Sequence, residues 1–313
     1  MVRVVFLGNA AWSVPSLEAL AGSSHQIALV ATRAPKPGGR GNRLIATAVA
    51  EATRRLSLPL AEVVTVKSGS GFEAIRRSRP DALVVVAYGE ILPATVLGLP
   101  SVAPVNVHFS LLPELRGPAP VQRAILEGLA VTGVTTIRMD EGVDTGAILL
   151  QAEEAIDPHD DAGSLGARLA AVGGRLLVET LDRMQAGVME ERSQTEAVAT
   201  YAPKLSPEDR TVDWTRPAEA IVRRVRALAP DPGAVTTFRG KGLKVLRGRA
   251  GSIPDGKPTP GDPGSVASDR QGLAVLTGNG VVVLEEVQPE GRRRMSGSEF
   301  VRGYRPQIGE RLG

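Results

Sequence analysis

The chain has 313 residues, enough for two domains, and its 42% apolar and 23% charged residues are the balance of a globular protein. It has no cysteine, which excludes disulfides, thiolate nucleophiles and cysteine-based metal sites, and no apolar run approaches the length of a membrane span. The net charge of +3 is uneven: residues 1–206 hold 19 Lys+Arg against 21 Asp+Glu, residues 207–313 hold 18 against 13, and a basic C-terminal part points to a polyanionic partner.

Residues 2–7, 27–31, 83–87 and 105–108 are short, apolar and rich in β-branched side chains, the pattern of buried strands. The first of them starts at once, with no signal-peptide pattern before it, which fits a cytoplasmic protein. Helical periodicity lies between the strands, for example over 15–21 and 45–56. This alternation predicts an α/β fold, a Rossmann-like and mostly parallel sheet with helices on both faces. Sites in such sheets lie beyond the carboxyl ends of the strands. Gly8-Asn9-Ala10-Ala11 lacks three spaced glycines, so it reads as a strand-to-helix turn lining a cleft rather than a dinucleotide loop. Residues 32–44 carry Arg33, Lys36, Arg40 and Arg43 among prolines and glycines, with no acid. That composition describes either an exposed loop or an arm that meets phosphates.

Residues 134–139 form another apolar run, followed by Asp140-Glu141-Gly142-Val143-Asp144-Thr145-Gly146, a tight loop. A long helix is expected over 162–186, and the polar stretch 190–209 reads as a linker. Thr215 caps a short helix with Pro217 in its first turn, which ends before Pro230. Five short strands follow, over 234–238, 243–246, 264–267, 273–276 and 281–284, with Gly- and Pro-rich turns. Their spacing predicts a small OB-like β-barrel, closed by a helix over 296–301. The expected layout is a catalytic domain over 1–189, a linker over 190–209 and a β-barrel domain over 210–313.

Val105-Asn106-Val107-His108 carries the chemistry. Residues i and i+2 of a strand share a face, so Asn106 and His108 project together while Val105 and Val107 pack on the other side. An amide beside an imidazole suits stabilising an oxyanion and moving a proton. Asp144, in its glycine-flanked loop, can be aimed at that imidazole. The other histidines, His25 and His159, read as structural. Asp157-Pro158-His159-Asp160-Asp161 is better explained as a solvated helix start than as a metal site.

Asn106, His108 and Asp144, with Ser110-Leu111-Leu112-Pro113 and Arg116-Gly117-Pro118-Ala119-Pro120-Val121-Gln122-Arg123, resemble the 10-formyltetrahydrofolate-dependent formyltransferases. Val84-Val85-Val86-Ala87-Tyr88-Gly89, Ile91-Leu92-Pro93, Tyr201-Ala202-Pro203-Lys204-Leu205 and Val212-Asp213-Trp214 extend the likeness over nearly the whole chain. It is nearest to the two-domain branch that acts on methionyl initiator tRNA. The resemblance implies transfer of the formyl group of 10-formyltetrahydrofolate, a co-substrate, to the α-amino group of that tRNA for translation initiation, without a metal. Asn106 would offer its amide to the oxyanion, His108 would relay a proton and Asp144 would orient His108. Ser110, Leu111, Leu112, Pro113, Tyr88 and Gly89 would contact folate. Arg40 would contact tRNA, with Arg33, Lys36 and Arg43 beside it, and the barrel domain would bind tRNA. A monomer is expected. Formylation of a nucleotide-linked amino sugar, hydrolysis of the formyl donor and RNA binding without catalysis stay open as alternatives. The chain departs from the family pattern at Phe109, at Glu114-Leu115 and at Ala229-Pro230-Asp231-Pro232-Gly233.

Overall fold

Apolar, β-branched segments build a seven-stranded sheet in the N-terminal part of the chain. The computed structural model describes residues 1–38, 43–251, 261–268 and 272–313. Strands β1 (Arg3–Gly8) and β2 (Gln26–Arg33) come first, then a small hairpin of β3 (Lys36–Gly38) and β4 (Arg43–Ile45). They are followed by β5 (Leu60–Val63), β6 (Ala82–Val86), β7 (Ala103–His108), β8 (Val131–Arg138) and β9 (Ile148–Ala155). The main sheet runs β5-β2-β1-β6-β7-β8-β9. Every pair from β5 to β7 is parallel, and β7–β8 and β8–β9 are antiparallel. β6 is Ala-Leu-Val-Val-Val and buried at every position, as a parallel strand covered on both faces must be. β9 is hard to read in the sequence because Gln151, Glu153 and Glu154 interrupt its apolar run; it is the edge strand, where polar side chains reach water.

The helix expected over 45–56 is shorter, Ala48–Arg55. Ile45 instead pairs with Lys36 in the hairpin, and the Thr47 hydroxyl accepts the Ala50 N–H to cap the helix. The long helix spans Ala162–Gln185. Helix Gly69–Ser78 is masked in the sequence by Gly69-Ser70-Gly71 at its start.

The chain divides into two compact units. The first comprises Met1–Pro120, Val131–Ala155 and Gly166–Pro203; the second comprises Val121–Ala130, Ile156–Leu165 and Lys204–Gly313. Residues 190–203, the first part of the polar stretch read as a linker, belong to the first unit. There Arg192 and Ile148 exchange backbone hydrogen bonds of 2.9 and 2.8 Å.

In the second unit, β10 (Ala234–Phe238), β11 (Lys241–Gly251), β12 (Val266–Ser268), β13 (Leu273–Leu276), β14 (Val281–Pro289) and β15 (Met295–Ser296) form an antiparallel sheet. Its order is β10-β11-β14-β13-β12, with β15 on β14. Arg311 bridges Ser265 and Leu312 bridges Phe238, so the C-terminal segment links the two edges and the sheet is barrel-like. β11 and β14 extend well past the apolar runs at 243–246 and 281–284, because Arg247, Arg249 and Glu285 alternate with inward residues. Trp214, Ile221, Val225, Val245, Val287 and Phe300 lie in the core of this unit. The Trp214 indole N–H is satisfied by the Thr236 hydroxyl at 3.1 Å.

Candidate active site

β7 places Asn106 and His108 on one face and Val105 and Val107 on the other, and both valines are fully buried. Asp144 meets the polar pair from the loop after β8. Its Oδ1 accepts a hydrogen bond from Asn106 Nδ2 at 3.1 Å, and its Oδ2 lies 3.5 Å from His108 Nδ1. The three residues expected to act together therefore converge, with Asp144 as the hub. His108 is only 5% exposed, so its charge partners sit largely out of water. Its Nε2 is 3.0 Å from the Leu115 carbonyl oxygen. A carbonyl can only accept, so Nε2 carries a proton, and in the neutral ring Nδ1 is left as the open base position beside Asp144.

Backbone geometry holds this arrangement. Asp144 has φ 55°, a left-handed conformation that Asp tolerates better than most residues. Asp140 shapes the loop by accepting from the Gly142 N–H at 3.0 Å and the Thr145 hydroxyl at 2.7 Å. The Gly117 N–H donates to Asp144 Oδ2 at 2.9 Å. Gly117 has φ 117°, and a Cβ there would lie 2.8 Å from the Ala202 carbonyl oxygen, so a side chain would push that donor away.

The Ser110-Leu111-Leu112-Pro113 turn is held from inside. Ser110 Oγ donates to the Glu114 carbonyl at 2.6 Å. The Thr135 hydroxyl donates to the Ser110 carbonyl at 2.7 Å and accepts from the Leu112 N–H at 3.1 Å. Ser110 and Leu112 are buried, while Leu111 and Pro113 are half-buried. Phe109 is buried and lies edge-on to Trp12 with ring centroids 6.2 Å apart.

The Tyr88 side chain is buried in the core of the first unit, its hydroxyl has no partner among the described residues, and burial and then Glu90 push its phenol up to about 12. The exposed groups there belong to Ala87 and Gly89. Since Val85 pairs with Asn106, these residues follow β6 just where His108 ends β7. Arg33 donates to the Gly89 carbonyl at 3.2 Å and lies 3.5 Å from Glu90, so it is engaged beside this loop. Lys36 is exposed on β3 and Arg43 is on β4, while Arg40 lies outside the described residues. His25 is buried, with Nδ1 accepting the Val2 N–H, and burial lowers its proton affinity. His159 is exposed in its helix-start cluster.

A second layer behind Asp144 is not evident from sequence. Arg116 is 1% exposed, and its guanidinium grips Glu196 with bonds of 3.0 and 2.8 Å. That pairing holds the Arg116 proton more firmly and keeps the Glu196 carboxyl below its ordinary range. Arg116 Nε donates to Gln194 Oε1 at 2.9 Å. Gln194 in turn donates to the carbonyls of Asp144 and Gly146 at 2.7 and 2.8 Å. Arg116 belongs to the family block 116–123, but its partners sit in a polar stretch without periodicity.

Among the described residues no group of three or more His, Asp and Glu is placed to hold a metal ion, and no helix is long and apolar enough to cross a membrane. The Formyl transferase family model matches residues 2–181, and the model of the Formyl transferase C-terminal domain matches 204–305. The methionyl-tRNA formyltransferase of Koribacter versatilis is 42% identical over 312 residues, covering 99% of this chain and 98% of that protein. That of a Nocardioides species is 42% identical over 315 residues, covering 100% of this chain and 98% of its own length. Among solved structures, an N-formyltransferase from Helicobacter canadensis in complex with folinic acid and dTDP-3-aminofucose superposes with a TM-score of 0.65 at 16% identity, covering 94% of this chain and 100% of that one. HypX from Aquifex aeolicus in complex with tetrahydrofolic acid gives a TM-score of 0.66 at 17% identity, covering 99% of this chain and 48% of that one. At those identities the structures establish a shared fold, whereas the family models and full-length relatives establish more: the chain belongs to the formyl transferase family.

Proposed function

We propose that this protein transfers the formyl group of 10-formyltetrahydrofolate to the α-amino group of methionyl initiator tRNA. The observation that carries this reading is the convergence of Asn106 and His108 on Asp144 in a chain that matches methionyl-tRNA formyltransferases from end to end. The basic balance of residues 207–313 supports a nucleic-acid acceptor over a small amine. Arg247 and Arg249 both lie 3.3 Å from the carboxylate of Glu285.

The residues present fit a folate donor. Ala87 and Gly89 are exposed just beyond the end of β6, and Leu111 and Pro113 add half-buried apolar surface. When bound, the donor supplies the formyl carbonyl. The protein's task is to stabilise the negative charge that develops on its oxygen and to move a proton between two nitrogens. One Asn106 amide hydrogen is held by Asp144; the other has no acceptor among the described residues and serves the oxygen. His108 Nδ1 is positioned to hold the proton in transit, with Asp144 Oδ2 beside it to offset the positive charge. Nε2 stays on the Leu115 carbonyl and fixes the ring.

The test is formyl transfer with methionyl-tRNA, a nucleotide-linked amino sugar and water offered separately as acceptors. Efficient formylation of the tRNA alone is expected. Equal or better use of the amino sugar, or release of formate without an acceptor, would replace this reading with one of the alternatives.

A further inference from the structure

We propose that Gln194 is a positioning residue that sets the Asp144 carboxylate against Asn106 and His108. The proposal rests on the reading of Asp144 as part of the active constellation. The stretch 191–198 is otherwise exposed, and Gln194 alone in it is half-buried. Its amide nitrogen donates to two carbonyls of one loop, those of Asp144 at 2.7 Å and Gly146 at 2.8 Å. Its amide oxygen accepts from Arg116 Nε at 2.9 Å. Only a side-chain amide offers two donors at one atom and an acceptor at the next at this reach.

The brace works on both ends of Asp144. Arg116 fixes Gln194 through its guanidinium, and the N–H of the following residue, Gly117, binds Asp144 Oδ2 at 2.9 Å. Arg116 is itself locked by Glu196 and by its backbone bonds to Thr200 and Ala202, at 2.9 and 2.7 Å. Carboxylate and backbone of Asp144 are thus tied to one sealed arginine. Such over-determination keeps a non-glycine residue at φ 55°. Asp144 Oδ2 already stands 3.5 Å from His108 Nδ1, so a small rotation of the loop breaks that contact.

The experiment measures steady-state formyl transfer to methionyl-tRNA by the full chain carrying Gln194→Ala, Gln194→Met, Asp144→Asn, or Asp144→Asn with Gln194→Ala. Gln194→Met keeps length while removing both donors, so it carries the test if the alanine variant folds poorly. Each Gln194 variant is expected to lower kcat roughly 10- to 100-fold, the scale seen when an orienting partner behind a functional group is lost. KM for both substrates should stay within about twofold, because transition-state contacts and not uniform binding are affected. The double variant should be no slower than Asp144→Asn alone, which a general loss of stability would not produce. Normal kcat in Gln194→Met, or losses that multiply in the double variant, overturns the proposal while Asp144→Asn stays crippled. Normal kcat in Asp144→Asn overturns the reading of Asp144 itself, and the brace falls with it.

Discussion

Asn106 and Asp144 carry the sharpest expectations at the scale of single residues. Asn106→Ala removes the amide hydrogen assigned to the developing oxyanion and should lower kcat by roughly 10²–10³-fold. Folate affinity, measured by titration, should be nearly unchanged, since the exposed residues Ala87 and Gly89 are untouched. Near-normal single-turnover rates would dismiss Asn106 as an oxyanion donor. Asp144→Asn keeps shape but replaces one acceptor oxygen with a donor nitrogen. The loop already presents the Gly117 N–H at 2.9 Å and Asn106 Nδ2 at 3.1 Å to this carboxylate, so an amide must turn one N–H toward another donor. Activity should collapse while the far-UV spectrum stays close to wild type and the thermal transition falls only modestly. Retained activity would reduce Asp144 to a turn residue.

At the scale of elements, close packing of the long helix supports the ring pair beside β7. A Cβ at Gly166 would sit 2.2 Å from the Trp12 ring, which lies edge-on to Phe109. Gly166→Ala gains about 1 kcal/mol of helix propensity. Overpacking of about 1–3 kcal/mol opposes that gain, and a rigid indole has no way to retreat cheaply. Denaturant unfolding should show net destabilisation; a stabilised variant would mean the helix shifts freely. The segment after β9's neighbour Arg192 gives a pH signature. Arg116 holds the Glu196 carboxyl below its ordinary value of 4.5. The pair therefore contributes stability that is present above that value and is lost as pH falls through the depressed one. Melting temperature should fall on acidification through this window, and Glu196→Gln should flatten the fall. Parallel curves for the two proteins would show that the pair is silent, as many exposed carboxylates are.

At the scale of the whole molecule, charge is unevenly distributed along the chain. Residues 207–313 carry a net +5, and Arg292, Arg293 and Arg294 are all exposed. Binding of methionyl-tRNA by the full chain should weaken steeply as salt rises, because neutralised phosphates release counterions. Arg40, in the basic stretch 32–44, is the local test. Arg40→Ala should weaken productive tRNA use by about 1–3 kcal/mol, the scale of one lost arginine contact. Use of a small amine acceptor should hardly change. Equal damage to both acceptors would assign Arg40 to the catalytic site, and salt-independent tRNA binding would remove the phosphate reading.

The sequence alone determined the alternation of strands and helices, the two-part layout of formyl transferase homology and the shared face of Asn106 and His108. Those features follow from local rules: period-two burial in β7, β-branched runs such as β6, and turn residues around Asp144. The family motifs already imply that Asp144 joins the pair. Tertiary structure decided what each group touches. It turned the Tyr88 side chain inward and left Ala87 and Gly89 exposed, because a large ring beside β6 gains more from burial than from solvent. It tied Arg33 to Gly89 and Glu90, and it closed His108 Nε2 on the Leu115 carbonyl. It also drew Gln194 and Glu196 to Arg116, from 78 and 80 residues away in the chain. A polar segment with no hydrophobic period leaves no pattern to read, since its place is set by hydrogen bonds to partners distant in sequence and not by its own burial.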